Sequence, residues 1–173
     1  MTNPSPLYVQ VRSGAIDPGR PTQPNEPTQD TSAQPLVSNP PTRWGDPVVL
    51  DSSTGQLRPV GASDTSASIF GALIQSKPTT SFVWPPVGYA NGLTDVPTTG
   101  DLGVMRKGHI GVRVQGSTAP VRGGNVYVQT TAVAGIPVGT ISAVSSANNF
   151  QWLNAQFDAS GIDAEGNSAI VIF

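Results

Sequence analysis

His109-Ile110-Gly111-Val112-Arg113-Val114-Gln115 is followed, across Pro120-Val121-Arg122-Gly123-Gly124-Asn125, by Val126-Tyr127-Val128-Gln129-Thr130, and this pair of runs decides the fold class. Apolar residues at 110, 112 and 114 repeat with period two, which lines one face of a β-strand and would scatter around a helix. Gly108 and Gly116 bound the run. Gly123-Gly124 supplies the positive φ that a tight turn requires before the next strand.

Outward towards the C-terminus, Ile136–Val144, Phe150-Gln151-Trp152-Leu153 and Ala155-Gln156-Phe157 read as further strands. Ser168-Ala169-Ile170-Val171-Ile172-Phe173 is apolar to its last residue, which places it inside a sheet, since a terminal segment stays ordered only when tied down. In the other direction, Val48-Val49-Leu50 runs into the turn-rich Asp51-Ser52-Ser53-Thr54-Gly55 and returns as Gln56–Val60. Ile69-Phe70-Gly71-Ala72-Leu73-Ile74 has strand length, and Gly71 with its Ser/Thr neighbours argues against a helix over 62–74. Short strands spaced by glycine turns predict an all-β domain over residues 45–173, a small β-barrel or jelly-roll-like sandwich. The stretch at about 78–100 carries four prolines with Phe82, Trp84 and Tyr89, and reads as a long irregular insertion of the kind that binds something.

Ahead of this domain the composition changes. Ten of the seventeen prolines fall within residues 1–47. A segment so poor in large apolar residues cannot build its own core, yet it can lie extended along another surface with little ordering entropy left to lose. Residues 1–44 therefore read as an extended proline-rich arm, with a reach of about 140 Å in polyproline II. Within it, Leu7-Tyr8-Val9-Gln10-Val11 alternates as a short strand would, and Asp17–Pro41 reads as linker without regular structure. Trp44 is the bulky anchor near its end, either packed on its own domain or presented to a partner.

Charged residues make up 12% of the chain, about half the usual share, and polarity comes instead from Ser, Thr, Asn, Gln and Gly. A solvated surface normally carries more charge, so much of this one is expected to be covered by partners. With a net charge of −2 and a pI near 5.1, and with Arg106-Lys107 as the only adjacent basic pair, nucleic acid is not an expected partner. No run approaches the length of a membrane span, and Met1–Pro6 lacks the features of a secretory signal, so the expectation is no membrane and synthesis in a cytoplasm.

Chemistry-bearing residues are sparse. There is no cysteine and one histidine, which excludes thiolate and multi-histidine metal sites. His109 as a general base would need an orienting acid such as Asp101, but no Gly-x-Ser-x-Gly elbow accompanies it, and it reads as a solvated loop-end histidine. Asp158, Asp163, Glu165 and Asn167 place oxygen ligands close together, but without the glycine and glutamate spacing of a calcium loop they read as a polar turn. No phosphate-binding loop is present. The expectation is a protein that is not an enzyme, with no catalytic residue, cofactor or metal.

From Gly45 onward the order of features resembles the capsid cement (decoration) proteins of tailed bacteriophages. It runs from Gly45-Asp46-Pro47-Val48-Val49 through Ile69-Phe70-Gly71-Ala72-Leu73 to Gly108-x-Ile110-x-Val112-x-Val114. Pro120-Val121-x-x-Gly-x-x-Val126-Tyr127-Val128, Gly139-Thr140-Ile141, Phe157 and the closing Ala169-Ile170-Val171-Ile172-Phe173 complete it. The resemblance implies a virion structural protein, made in the host cytoplasm, that binds the outer capsid surface at junctions between major capsid protein subunits and stabilises the shell. It also implies a homo-oligomer, a trimer in preference to a dimer. On that reading Leu7, Tyr8, Val9, Val11 and Trp44 anchor the arm, and Phe82, Trp84 and Tyr89 form a second contact. Both the arm and the insertion are longer than the family pattern leads one to expect. The alternative is a receptor- or carbohydrate-binding β module of a tail fibre or adhesin, with Trp84 and Tyr89 stacked on sugar faces.

Overall fold

The computed structural model describes residues 16, 18–19, 21–22, 29–75, 96–133 and 135–173. Nine strands follow in chain order: β1 (Gln29–Ala33), β2 (Pro47–Leu50), β3 (Leu57–Pro59), β4 (Ile69–Ile74), β5 (Leu102–Arg113), β6 (Asn125–Gln129), β7 (Ile141–Ser142), β8 (Asn149–Phe157) and β9 (Asn167–Ile172). They make one curled sheet in the order β3-β2-β4-β5-β9-β8-β6-β7, with β1 also on β5, and each ladder between strands is antiparallel. Among the described residues the only helix is a 3-10 turn at Ser66–Ser68. The fold is all-β, as the period-two runs predict, and takes the form of a half-barrel.

β5 organises this shape. Its first half pairs with β1 and β4, and its second half, from Gly108 to Arg113, pairs with β9. Gly108 stands at the changeover with φ +128°, a value that side chains other than glycine rarely adopt. Both ends of the sheet curl back onto the chain. Leu57 of β3 exchanges hydrogen bonds with Gln34 and Leu36, each 2.7 Å, and Gln115, just past β5, donates to Ile141 of β7 at 2.8 Å. The two outermost strands are thus partnered, which blocks the edge-to-edge pairing that an exposed strand invites.

Alternation along β2, β4 and the first half of β5 feeds two cores. Val48, Leu73, Leu102 and Val104 join Trp44 and Leu57 in the smaller one. Val49, Ala72 and Met105 point the other way and join Ile110, Val112, Trp152, Phe157 and Ile170 in the larger one. These strands are buried on both faces, which explains why Val48-Val49 and Ala72-Leu73 read as continuous apolar runs.

A short segment of the arm fastens the two halves. Gly19 accepts from the Gln75 amide just past β4 and donates to Gly111 of β5, both at 2.8 Å. Thr22 donates to His109 at 3.0 Å, and Ile16 donates to the Asp163 carboxylate at 2.8 Å.

Four expectations need correction. The stretch read as linker without regular structure contains β1, which lies along β5; its polar sequence hides the pairing because the ladder supplies main-chain bonds. β5 begins seven residues before the predicted start at His109, since Arg106-Lys107 breaks the alternation. Of the predicted strand 136–144 only Ile141-Ser142 remains, because Pro137 cannot donate to a ladder and Gly139 turns the chain at φ +82°. The runs at 150–153 and 155–157 form one strand, β8. Residues 7–11 and most of the insertion, with Phe82, Trp84 and Tyr89, lie outside the described residues.

Candidate docking surface

Trp44 is 6% exposed and packs in the smaller core with Val48, Leu73 and Val104, so it fastens the end of the arm to its own domain. Next to it, Arg43 donates from Nε to Asp46 Oδ2 at 2.7 Å. Burial pushes the Asp46 carboxyl up to about 7, against the opposing pull of the Arg43 charge and hydrogen bond and of Arg113. Arg58 clamps Asp64 through two nitrogens, at 2.6 and 2.9 Å. That hydrogen bonding holds the Asp64 carboxyl below its ordinary range, although burial opposes it and the Gly61 amide assists.

His109 lies inside β5, and its Nδ1 is 2.9 Å from Asp158 Oδ2, with Arg122 at 3.5 Å from the other carboxylate oxygen. The loop-end reading of His109 is therefore corrected; its position on β5 across from the turn after β8 brings it to Asp158, not to Asp101. The polar loop at 158–167 is occupied internally. Asp163 accepts from the amides of Ile16, Glu165 and Asn167 and from the Asn167 side chain. Burial pushes this carboxyl up, but the four donors outweigh it and hold it below the usual carboxylate range. Among the described residues no group of three His, Cys, Asp or Glu is placed to hold a metal ion.

The site with the most distinctive geometry is a cleft of about 170 Å³ at the seam where β4 leaves β5 and β9 takes over. β4 pairs with β5 up to Met105, and β9 pairs with it from Gly108. On the other ladder, Gln29 of β1 faces Lys107 and Asp30 faces Met105, so Arg106 is the extra residue of a β-bulge. A bulge disturbs the alternation and re-aims side chains. Here it leaves Arg106 and Lys107 both exposed, and both line the cleft. The Arg106 guanidinium lies 4.9 Å from the centroid of the Phe70 ring. Trp152, Asn154 and Phe173 are also among the lining residues, with Phe173 59% exposed. In the sequence Arg106-Lys107 stands out only as the sole adjacent basic pair. Its position between the apolar residues Val104-Met105 and Ile110 was the available sign that two cations interrupt a strand.

The family model described as structural cement protein (E217 gp24/Pam3 gp6) matches residues 9–173. Among solved structures, a chain of the capsid of Myoviridae phage XM1 is similar with a TM-score of 0.63 and 19% identity, covering 95% of this chain and 94% of that one. At that identity the likeness is one of fold. No curated protein matches the sequence.

Proposed function

The chain belongs to the phage structural cement protein family, and from this we propose that it binds the outer surface of a bacteriophage capsid, at junctions between major capsid protein subunits, and stabilises the shell. Family membership over residues 9–173 carries the reading. Several physical features support it. With both outer strands of the sheet partnered by the chain itself, contacts with a neighbour fall to side-chain surfaces and to the arm. The low charge content suits a surface largely covered in its working state. Leu7, Tyr8, Val9 and Val11 on the arm and Phe82, Trp84 and Tyr89 on the insertion are the proposed shell contacts, while Trp44 secures the arm's root. A homo-oligomer, a trimer in preference to a dimer, engages several capsid subunits at once and turns modest contacts into strong retention. Binding the assembled shell better than free subunits stabilises it by mass action. The protein works in the virion, after synthesis in the host cytoplasm, as a structural component and not an enzyme.

The test is sedimentation of the purified chain alone and with intact capsids that lack it. Saturable co-sedimentation, with shells that withstand higher temperature, is expected. A chain that ignores shells but binds glycans would replace this reading with a carbohydrate-binding module.

A further inference from the structure

We propose that the Arg106/Lys107 cleft is a docking pocket for an acidic segment of the capsid subunit that also offers one apolar side chain; this rests on the capsid-binding reading above. Of the described cations, Arg43, Arg58 and Arg122 each face a carboxylate, and the charge of Arg113 acts on the Asp46 carboxyl. Arg106 and Lys107 are both exposed, and neither has an ion pair with a described residue. On a chain with net charge −2 they form a local positive spot.

Their placement is built by the fold. The bulge sets two consecutive residues at the cleft, where regular alternation would turn one of them away. Gly71 helps to shape the wall. A Cβ there would lie 2.3 Å from the Met105 carbonyl oxygen, so β4 approaches β5 this closely only with glycine. The Phe70 ring lies beneath the Arg106 guanidinium and helps to hold the side chain beside the cleft. Arg106 makes no hydrogen bond with a described side chain, and its forked N–H groups are the donors that grip a carboxylate through two bonds. Lys107 adds a second, flexible ammonium. Phe70 and Phe173 add a smaller apolar part to a mainly polar lining. A carboxylate with one apolar side chain beside it matches this lining.

The experiment compares shell binding by the full chain and by Arg106→Glu/Lys107→Glu, with Arg122→Glu, half that change in charge, as a control for added negative charge at an exposed site away from the cleft. Both variants are exposed-site changes, and circular dichroism and melting temperature check that they fold. Wild type should bind, more weakly as ionic strength rises. The double variant should bind at least roughly tenfold more weakly and lose most of that salt dependence. Arg106→Lys should recover only part of the loss, because an ammonium cannot grip bidentately. If wild type does not bind shells, the capsid-binding reading fails and the pocket assignment with it. If wild type binds and the double variant binds equally, the pocket assignment alone is overturned. It is also overturned if Arg122→Glu weakens binding as much, or if the double variant splits the free oligomer, which would make the cleft an interface between copies.

Discussion

Gly45 and Gly19 show how much of this fold depends on single backbone positions. Gly45 has φ +79°, and a Cβ on it would lie 2.7 Å from the Gly111 oxygen and 2.8 Å from the Gly19 nitrogen. Those neighbours are main-chain atoms held by hydrogen bonds and cannot swing aside. Gly45→Ala should therefore cost roughly 2–4 kcal/mol, combining left-handed strain with overpacking. Gly161 has a similar φ of +84° but nothing within 4 Å, so Gly161→Ala should cost only about 1–2 kcal/mol. Urea unfolding of the two variants separates crowding from strain, and equal losses would show that the close approach at Gly45 is immaterial. Asp46 gives a pH signature. Its carboxyl is raised from 3.8 to about 7 in the fold, so between those values the folded protein holds a proton that the unfolded chain releases. The associated stability is complete below about pH 4 and is lost as pH rises through about 7. Asp64 and Asp163 are shifted the other way, so their contribution is lost as pH falls through the carboxylate range. Unfolding midpoints measured from pH 5 to 8 should decline for the native chain and decline less for Asp46→Asn; parallel slopes would clear Asp46 of this role.

Strands that bury one regular face were legible from sequence, because period-two alternation is the direct trace of such burial: Ile110 and Val112 in β5 with Val114 just past its end, Val126 and Val128 in β6. β1 was not legible, since Gln29–Ala33 earns its place through main-chain pairing with Leu102–Lys107 and presents little apolar periodicity. Neither was the first half of β5, where the bulge at Arg106 breaks the pattern; the same irregularity that hid the strand creates the cleft. The chemistry of the cleft was visible as two basic residues, but Phe70, Trp152 and Phe173 come to it from β4, β8 and the residue after β9, and only tertiary structure joins them. The arm is likewise two things at the level of elements. Removing residues 1–44 would strip β1 from β5, take Gly19 from between Gln75 and Gly111, and delete Trp44 from the smaller core. That truncation should unfold or strongly destabilise the domain; Trp44→Ala alone should cost about 3–5 kcal/mol. Removing residues 1–15 leaves all these contacts in place. It should keep the melting temperature and weaken shell binding by about tenfold or more, as loss of one arm contact from a multivalent attachment would. Unchanged shell binding by this shorter truncation would remove Leu7, Tyr8, Val9 and Val11 from the contact surface.

For the molecule as a whole, the two cores are not two domains. β2, β4 and β5 each contribute to both, through Val48 and Val49, Leu73 and Ala72, Val104 and Met105. Neither core can lose its packing while those strands remain ordered for the other. The Gly19 hydrogen bonds to Gln75 and Gly111 add a direct tie between the end of β4 and the second half of β5. Unfolding should therefore be a single cooperative transition, the behaviour expected of one domain whose parts share their elements. Leu73→Ala in the smaller core and Ile170→Ala in the larger should each cost about 2–5 kcal/mol, because both side chains are fully buried. The informative result is how that loss is expressed. Each variant should shift one transition, seen alike by tryptophan fluorescence and far-ultraviolet circular dichroism, with Trp44 reporting on the smaller core and Trp152 on the larger. A variant that split the transition, melting one tryptophan's surroundings ahead of the other's, would show that β5 joins two separable units. Single-step melting would mean that strain applied at the cleft, which sits on the strand common to both cores, is resisted by the packing of the entire protein. On the proposed role at a capsid surface, that resistance would let a grip on one side of the protein bear load from the other.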